Sequence, residues 1–198
     1  MRARQRSRDL LAAGLLIVNL VPAGARAGDS IELDSARSRA DFRVKVIWLV
    51  GIHGSFGSVH GSVDIDHFRS QAIVDARIDA NSVRMNVRGY ENWVKSPEFF
   101  DAQAHPQIHF VSEPFPLQRL HNGGELPGTL TLRGVSQPVR FELAPAACAR
   151  PGYDCAIAAA ATISRVSFGM RSRLGTLSEK VELGLSVYVI SSENRLAP

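Results

Sequence analysis

Apolar and polar residues alternate with a period of two along most of the chain beyond residue 28. In ADFRVKVIW, Phe42, Val44, Val46 and Trp48 alternate with Asp41, Arg43, Lys45 and Ile47. In IVDARIDA, Val74, Ala76, Ile78 and Ala80 alternate with Asp75, Arg77 and Asp79. TLTLRG and VRFEL add Leu130 and Leu132, then Val139, Phe141 and Leu143. KVELGLSVYVI carries Val181, Leu183, Leu185, Val187 and Val189 on one face. Successive side chains of an extended chain point to opposite faces, so the pattern predicts antiparallel strands with one buried and one wet face. HNGGELPG, RGVSQP and RPGYD supply turns between them. No repeat, low-complexity tract or linker interrupts the series, which reads as one domain.

One segment departs from the strand pattern. In VRGYENWVKSPEFFDAQAHP, Tyr90, Trp93 and Val94 share a face at helical spacing, and Pro97 and Pro106 bracket a second short turn. Many strands with one helical interruption predict a closed antiparallel barrel, because closure removes exposed sheet edges. CAIAAAATIS places alanine at 156, 158, 159, 160 and 161, so whichever face of that strand points inward is small. A small wall opposite walls of valine, leucine and phenylalanine leaves room for a cavity; the alternative is close packing against the large side chains opposite.

Composition changes this picture at the N-terminus. Arg2, Arg4, Arg6 and Arg8 precede an apolar run from Leu10 to Val21, and Ala25-Arg26-Ala27 follows as a small-x-small cleavage site. That is the pattern of a secretory signal peptide over residues 1–27, with the run too short to span a bilayer. The expected mature chain, residues 28–198, is periplasmic or secreted. The full chain has a formal net charge of +4; the leader holds five arginines and one aspartate, leaving 18 basic and 18 acidic residues. A mature chain of zero net charge lacks the basic footprint of a nucleic-acid binder. Cys148 and Cys155 stand in CARPGYDC. In an oxidising compartment they are expected to pair across the Pro151-Gly152 turn. The alternative is two free or metal-binding thiols, but two cysteines without paired histidines make a poor zinc site.

The search for catalytic chemistry yields little. His53, His60 and His67 are seven residues apart, which alternates their faces in extended chain, and no His-Glu-x-x-His or calcium loop is present. No Gly-x-Ser-x-Gly occurs, and Ser55 lies among glycines without a nucleophile elbow. Asp101 and His105 could form part of a general-base pair across a helical turn. The reading adopted is structural: Asp101 closes a short helix and His105 precedes Pro106 at the entry to a strand. No catalytic residue and no metal ligand is assigned.

SPEFFDAQAHPQIHFVSE, then LPGTLTLRGVSQPVRFEL, ISRVSFGM and LSEKVELGLSVYVI, resembles in order the YceI-like family of secreted barrel proteins. SRADFRVKVIWLVGIHGSFGSVHGSVDID resembles its opening hairpin and IDANSVRMN its next strand and turn, so the likeness runs from Asp29 to Ile190. The resemblance implies an all-β fold, an extended antiparallel lipocalin-like β-barrel with a short helical lid. It implies a lumen that holds a polyprenyl lipid or isoprenoid quinone, with no cofactor required and no enzymatic activity. Glu91-Asn92-Trp93-Val94 stands where the family often has Asp-x-His-Leu, so a tryptophan replaces a histidine that could meet a head group.

On this reading the inward ligand contacts are Phe42, Val44, Val46, Trp48, Phe56, Ile108, Phe110, Leu130, Leu132 and Phe168, with Trp93, Phe99 and Phe100 closing the lid. The expected partners are an apolar isoprenoid lipid and, transiently, a membrane, for a monomer or homodimer that binds no nucleic acid. Two other readings are a small-molecule enzyme resting on Asp101, His105 and His109, and a stress-response interaction protein with a filled core.

Overall fold

A computed structural model describes residues 29–47, 50–87 and 89–190. The expected leader, its expected cleavage site at Ala27, and Trp48 lie outside the described residues. Twelve strands form one antiparallel sheet. In chain order they are β1 (Asp29–Glu32), β2 (Arg39–Val46), β3 (Val50–Phe56), β4 (Val59–Asp66), β5 (Gln71–Asp79), β6 (Arg84–Met85), β7 (Gln107–Ser112), β8 (Phe115–Pro116), β9 (Gly124–Leu132), β10 (Val135–Leu143), β11 (Ile157–Ser164) and β12 (Leu177–Val187). Neighbours run β1-β4-β5-β7-β9-β10-β11-β12-β2-β3-β6, with β8 beside β5. A bridge between Leu33 and Val189 brings the chain beyond β1 against the chain beyond β12 and curls the sheet on itself. The result is an antiparallel barrel, as the strand pattern predicted, in the lipocalin-like form that the family resemblance implied.

Alternation positions the core directly. Along β2 the burial pattern is strictly alternating, with Ala40, Phe42 and Val44 buried and Arg39, Asp41, Arg43 and Lys45 exposed. The expected alternation stops short of Ile47, because β2 ends at Val46. Ile47 takes a left-handed φ of 48° and donates its N–H to the Thr176 carbonyl, opening a short hairpin loop before Val50 pairs with Val46.

Two glycines let aromatic rings lie flat against the inner wall. Gly54 faces Phe42 across β2 and β3, and a Cβ there would sit 2.3 Å from Phe42 Cζ. A Cβ on Gly128 would sit 2.6 Å from the Phe110 ring. Each ring covers a glycine instead of crossing the lumen.

Two neighbouring strands, β5 and β7, are joined by a long detour. It comprises a 3₁₀ turn at Ala80–Ser82, then β6, helix α1 (Tyr90–Lys95) and a chain of turns to Pro106. This is the predicted helical lid segment. Its fold is local: Phe100 N–H donates to Val94 O, Ala102 N–H to Lys95 O, and His105 N–H to Asp101 O. Asp101 takes a positive φ of 48° there, the conformation that stops a helical turn. At another loop, Cys148 and Cys155 form the expected disulfide, with Cα atoms 6.0 Å apart.

Candidate ligand-binding lumen

The inner faces of the strands enclose an elongated cavity of about 230 Å³. Its lining runs from Trp93 and Phe100 on the lid segment to Pro151 and Tyr153 in the disulfide loop. Leu177, Val181, Leu183, Leu185, Val187 and Val189 all border it, and the regular part from Val181 to Val187 alone is equivalent to about 20 Å of extended chain. A cavity so long for its volume is slender.

Ten of the expected contacts border this cavity: Phe42, Val44, Phe56, Trp93, Phe99, Phe100, Ile108, Phe110, Leu130 and Leu132. Two do not. Val46, at the last position of β2, is half-buried against the core but beyond the cavity. Phe168 is 1% exposed, yet it lies on a 3₁₀ turn (Arg165–Phe168) where the two-residue period has ended, and it packs in the core outside the lumen. Of the five alanines near β11, Ala159 borders the lumen while Ala160 faces outward. The inward face of β11 therefore reads Ile157, Ala159, Ala161 and Ile163, with Ala159 the one alanine of the strand at the lumen, and Gly54 and Gly128 do more to keep space open.

The chemistry of the lining is almost wholly hydrocarbon. Asp41 and Arg165 are the charged residues along it, and Asp41 is exposed on the outer face. Arg165 is 1% exposed. Its Nε donates to Ser178 O, one terminal nitrogen to Met170 O and Ser172 O, and the other to Leu177 O, at 2.6 to 3.1 Å. Burial pushes its pKa below the ordinary guanidinium value, and the nearby Glu179 partly opposes the shift. A buried cation is costly unless hydrogen-bonded, and here four main-chain carbonyls meet that need. The side chain acts as an internal staple for the loop between residues 169 and 178. Sequence reasoning missed it, because its acceptors are backbone groups that leave no trace in residue type.

Aromatic packing closes the lid. Phe100 meets Phe42 at 5.5 Å and Phe56 at 5.6 Å between ring centroids, and Phe42 meets Phe56 at 5.7 Å. Phe99 packs edge-on against Trp93 at 4.5 Å, and Tyr90 meets Trp93 at 5.6 Å. Trp93 Nε1 donates to Glu98 at 3.1 Å, so the indole spends its polar atom on the lid itself. Met85, Leu120 and Tyr153 also border the lumen from short segments without a readable period.

The polar residues considered for catalysis are not brought together. His109 Nε2 lies 3.0 Å from Asp75 Oδ1, and Arg77 donates to the other Asp75 oxygen at 3.0 Å. Asp101 and His105 are joined by main-chain atoms, and neither they nor His109 border the lumen. His53, His60 and His67 go separately to Arg43, Ser58 and Asp29. Among the described residues no group of three or more His, Cys, Asp or Glu is placed to hold a metal ion.

Fold and lumen together define a lipocalin-like barrel built around a slender apolar cavity. The family model for the YceI-like domain matches residues 32–189, and the chain belongs to that family. A UPF0312 protein of Yersinia enterocolitica is 30% identical over 171 residues, covering 83% of this chain and 88% of its own. One from Pseudomonas aeruginosa is 28% identical over 186 residues, covering 91% and 96%. BcnA of Burkholderia cenocepacia shares the fold with a TM-score of 0.62 at 21% identity, over 80% of this chain and 99% of that one. A polyisoprenoid binding domain from Saccharophagus degradans does so with a TM-score of 0.61 at 14% identity, over 81% and 97%.

Proposed function

We propose that the protein is a periplasmic or secreted carrier that holds the hydrocarbon chain of a polyisoprenoid lipid or isoprenoid quinone in its lumen. The observation that carries this reading is the shape and chemistry of the cavity: slender, running between the lid and the disulfide loop, and lined almost entirely by apolar side chains. A charged or strongly hydrogen-bonding ligand would lose its hydration there without partners. A flexible apolar chain loses only its contact with water, and each buried CH₂ contributes about 0.8 kcal/mol before the cost of ordering the chain. Family membership and the named binding of the Saccharophagus neighbour support the same ligand class. Binding rather than catalysis is also favoured by Asp101, His105 and His109, which lie away from the cavity.

The test is organic extraction and mass spectrometry of protein recovered from its native compartment. A prenyl lipid in near-stoichiometric amount is expected; folded protein that yields none, and takes none up from detergent, would refute the proposal. Two neighbouring substitutions add direction. Ala159→Leu fills the lumen and should shorten or exclude the bound chain. Ala160→Leu adds the same bulk outside and should leave it unchanged.

A further inference from the structure

Exposed apolar side chains gather beside the lid in a way the barrel's packing does not require. Ile47 is 64% exposed and Val50 63% at the β2–β3 hairpin, and Leu174 is 52% exposed in the loop leading to β12. The Ile47 N–H donates to Thr176 O at 2.7 Å, which holds the hairpin against that loop. A β-branched residue at a left-handed φ is a conformational outlier, and Ile47 gains little burial in return. Such positions tend to mark functional constraint.

Cations surround these side chains. Lys45 precedes Ile47 on the outer face of β2, and Arg171 and Arg173 both precede Leu174 in its loop. Arg133 donates to Gly169 O at 3.3 Å and so belongs to the same surface. Residues 45–50, 133–134 and 169–177 contain no carboxylate. Among the described residues none of these four cations takes part in an ion pair. Arg173 also stands 5.8 Å from the Trp93 ring centroid, linking the patch to the lid. The Arg165 staple holds the loop in place from below.

The opposite end of β5 provides a contrast within the same molecule. Phe68, at the turn into that strand, is 94% exposed, but Asp64 and Asp66 precede it and Asp66 engages Arg69 at 2.8 Å. One end offers aliphatic side chains among cations without ion pairs; the other offers one ring between His67 and Arg69, each held by an aspartate.

We propose that the lid end docks on a membrane surface carrying anionic phospholipid, with Ile47, Val50 and Leu174 entering the headgroup layer and Lys45, Arg133, Arg171 and Arg173 meeting its negative charge. Exposed aliphatic side chains combined with unpaired cations are the features that bind an anionic interface. This rests on the lumen as a lipid site, because docking there sets the lid against the bilayer from which a chain would enter.

Vesicle co-sedimentation tests it with the full mature protein. Binding is expected to phosphatidylcholine vesicles containing phosphatidylglycerol, to fall as salt is raised, and to be weak on phosphatidylcholine alone. Arg171→Glu should lower partitioning roughly 25-fold, taking about fivefold for each unit of charge near the surface. Leu174→Ser, which leaves charge unchanged, should lower it several-fold, and Phe68→Ser should not change it. No binding by the wild type, or an equal loss with Phe68→Ser and Arg171→Glu, would overturn the docking surface. Lipid extraction on the same preparations separates the two ideas: an empty lumen with patch-dependent vesicle binding removes the carrier and leaves the docking surface standing.

Discussion

The two ends of the lumen are closed by different means. At the lid end, closure is non-covalent and made of side chains: Phe100 wedged against Phe42 and Phe56, and Phe99 against Trp93. At the other end the closing loop is tied at every level. Cys148 and Cys155 cross-link it. The Pro151 backbone bridges Cys155, Gly152 N–H donates to Cys155 O, and Val189 N–H donates to Gly152 O. Arg37 donates to Tyr153 O and stacks 3.8 Å over the Tyr188 ring, and Arg150 pairs with Asp154 at 2.7 Å. A region held by hydrogen bonds and removable side-chain contacts alone opens at lower free energy than one that is also cross-linked. On the function proposed above, this difference points to the lid as the route of ligand exchange and to the disulfide loop as a fixed floor.

The largest effect is expected from Phe99→Ala. Phe99 is buried, and truncating a buried phenylalanine costs about 3 kcal/mol. Because the contact lies in the lid rather than in the strand ladder, the loss should fall on closure: lipid release should accelerate at least tenfold while far-ultraviolet circular dichroism stays unchanged. Unchanged release from this variant would mean that the lid is not the exit.

Cys148→Ser probes the floor. The bridge closes a loop with a sequence separation of 7, for which chain entropy gives about 2–3 kcal/mol. Thermal unfolding should shift down by that amount, yet lipid release should stay close to wild type, since the backbone bonds of Gly152 and Val189 remain. Release as fast as in Phe99→Ala would make the two ends equivalent and end the distinction.

How far the sequence discloses this arrangement depends on whether a residue sits in a regular period. Val74, Ala76 and Ile78 on β5, and Val181 to Val189 on and beyond β12, are readable because alternation decides the face and nothing interrupts it. Val46 falls outside the lumen because the strand ends there, where one residue, Ile47, adopts a left-handed φ that its type disfavours. Phe168 is misassigned because the 3₁₀ turn after Ser164 cancels the two-residue rule. Met85, Leu120 and Tyr153 reach the lumen from segments too short to carry any period. The glycine–phenylalanine pairs are intermediate: Gly54 opposite Phe42 follows from the hairpin register, but only once the loop is known to begin at Ile47.

Gly54→Ala turns that pairing into a measurement on the lid. The new Cβ would lie 2.3 Å from Phe42 and 2.8 Å from Met85 Sδ, and both side chains are lid contacts or neighbours of them. Overpacking of this kind costs about 1–3 kcal/mol. With the Phe42 ring pushed inward against Phe100, the bound chain should be shortened and release moderately faster. Binding and release indistinguishable from wild type would show that the ring has room to move without touching the ligand.

Acid should open the lid before it opens the floor. Backbone N–H groups hold the Glu91 carboxyl below its ordinary value of 4.5, the Glu91 amide first and then Met85, whose N–H donates to Oε1 at 3.2 Å; Gly89 and the charge of Arg84 add smaller contributions. A depressed carboxyl stabilises the folded form above the unfolded value, and that contribution is lost as pH falls through the folded one. The tie between α1 and β6 is thus complete at neutral pH and weakens progressively below about 4.5. At the other end Arg150 depresses Asp154 in the same direction, so that ion pair weakens in the same acid range. The disulfide does not titrate, and the floor keeps its cross-link. Lipid release followed from about pH 6 to about pH 3, a window that brackets the ordinary carboxyl range, should quicken in the wild type below about pH 4.5. Glu91→Gln keeps an acceptor for Met85 but removes the titration, and should flatten part of that rise. Asp154→Asn should not. A flat profile for the wild type, or the same flattening in both variants, would show that the Glu91 contact has no part in holding the lid.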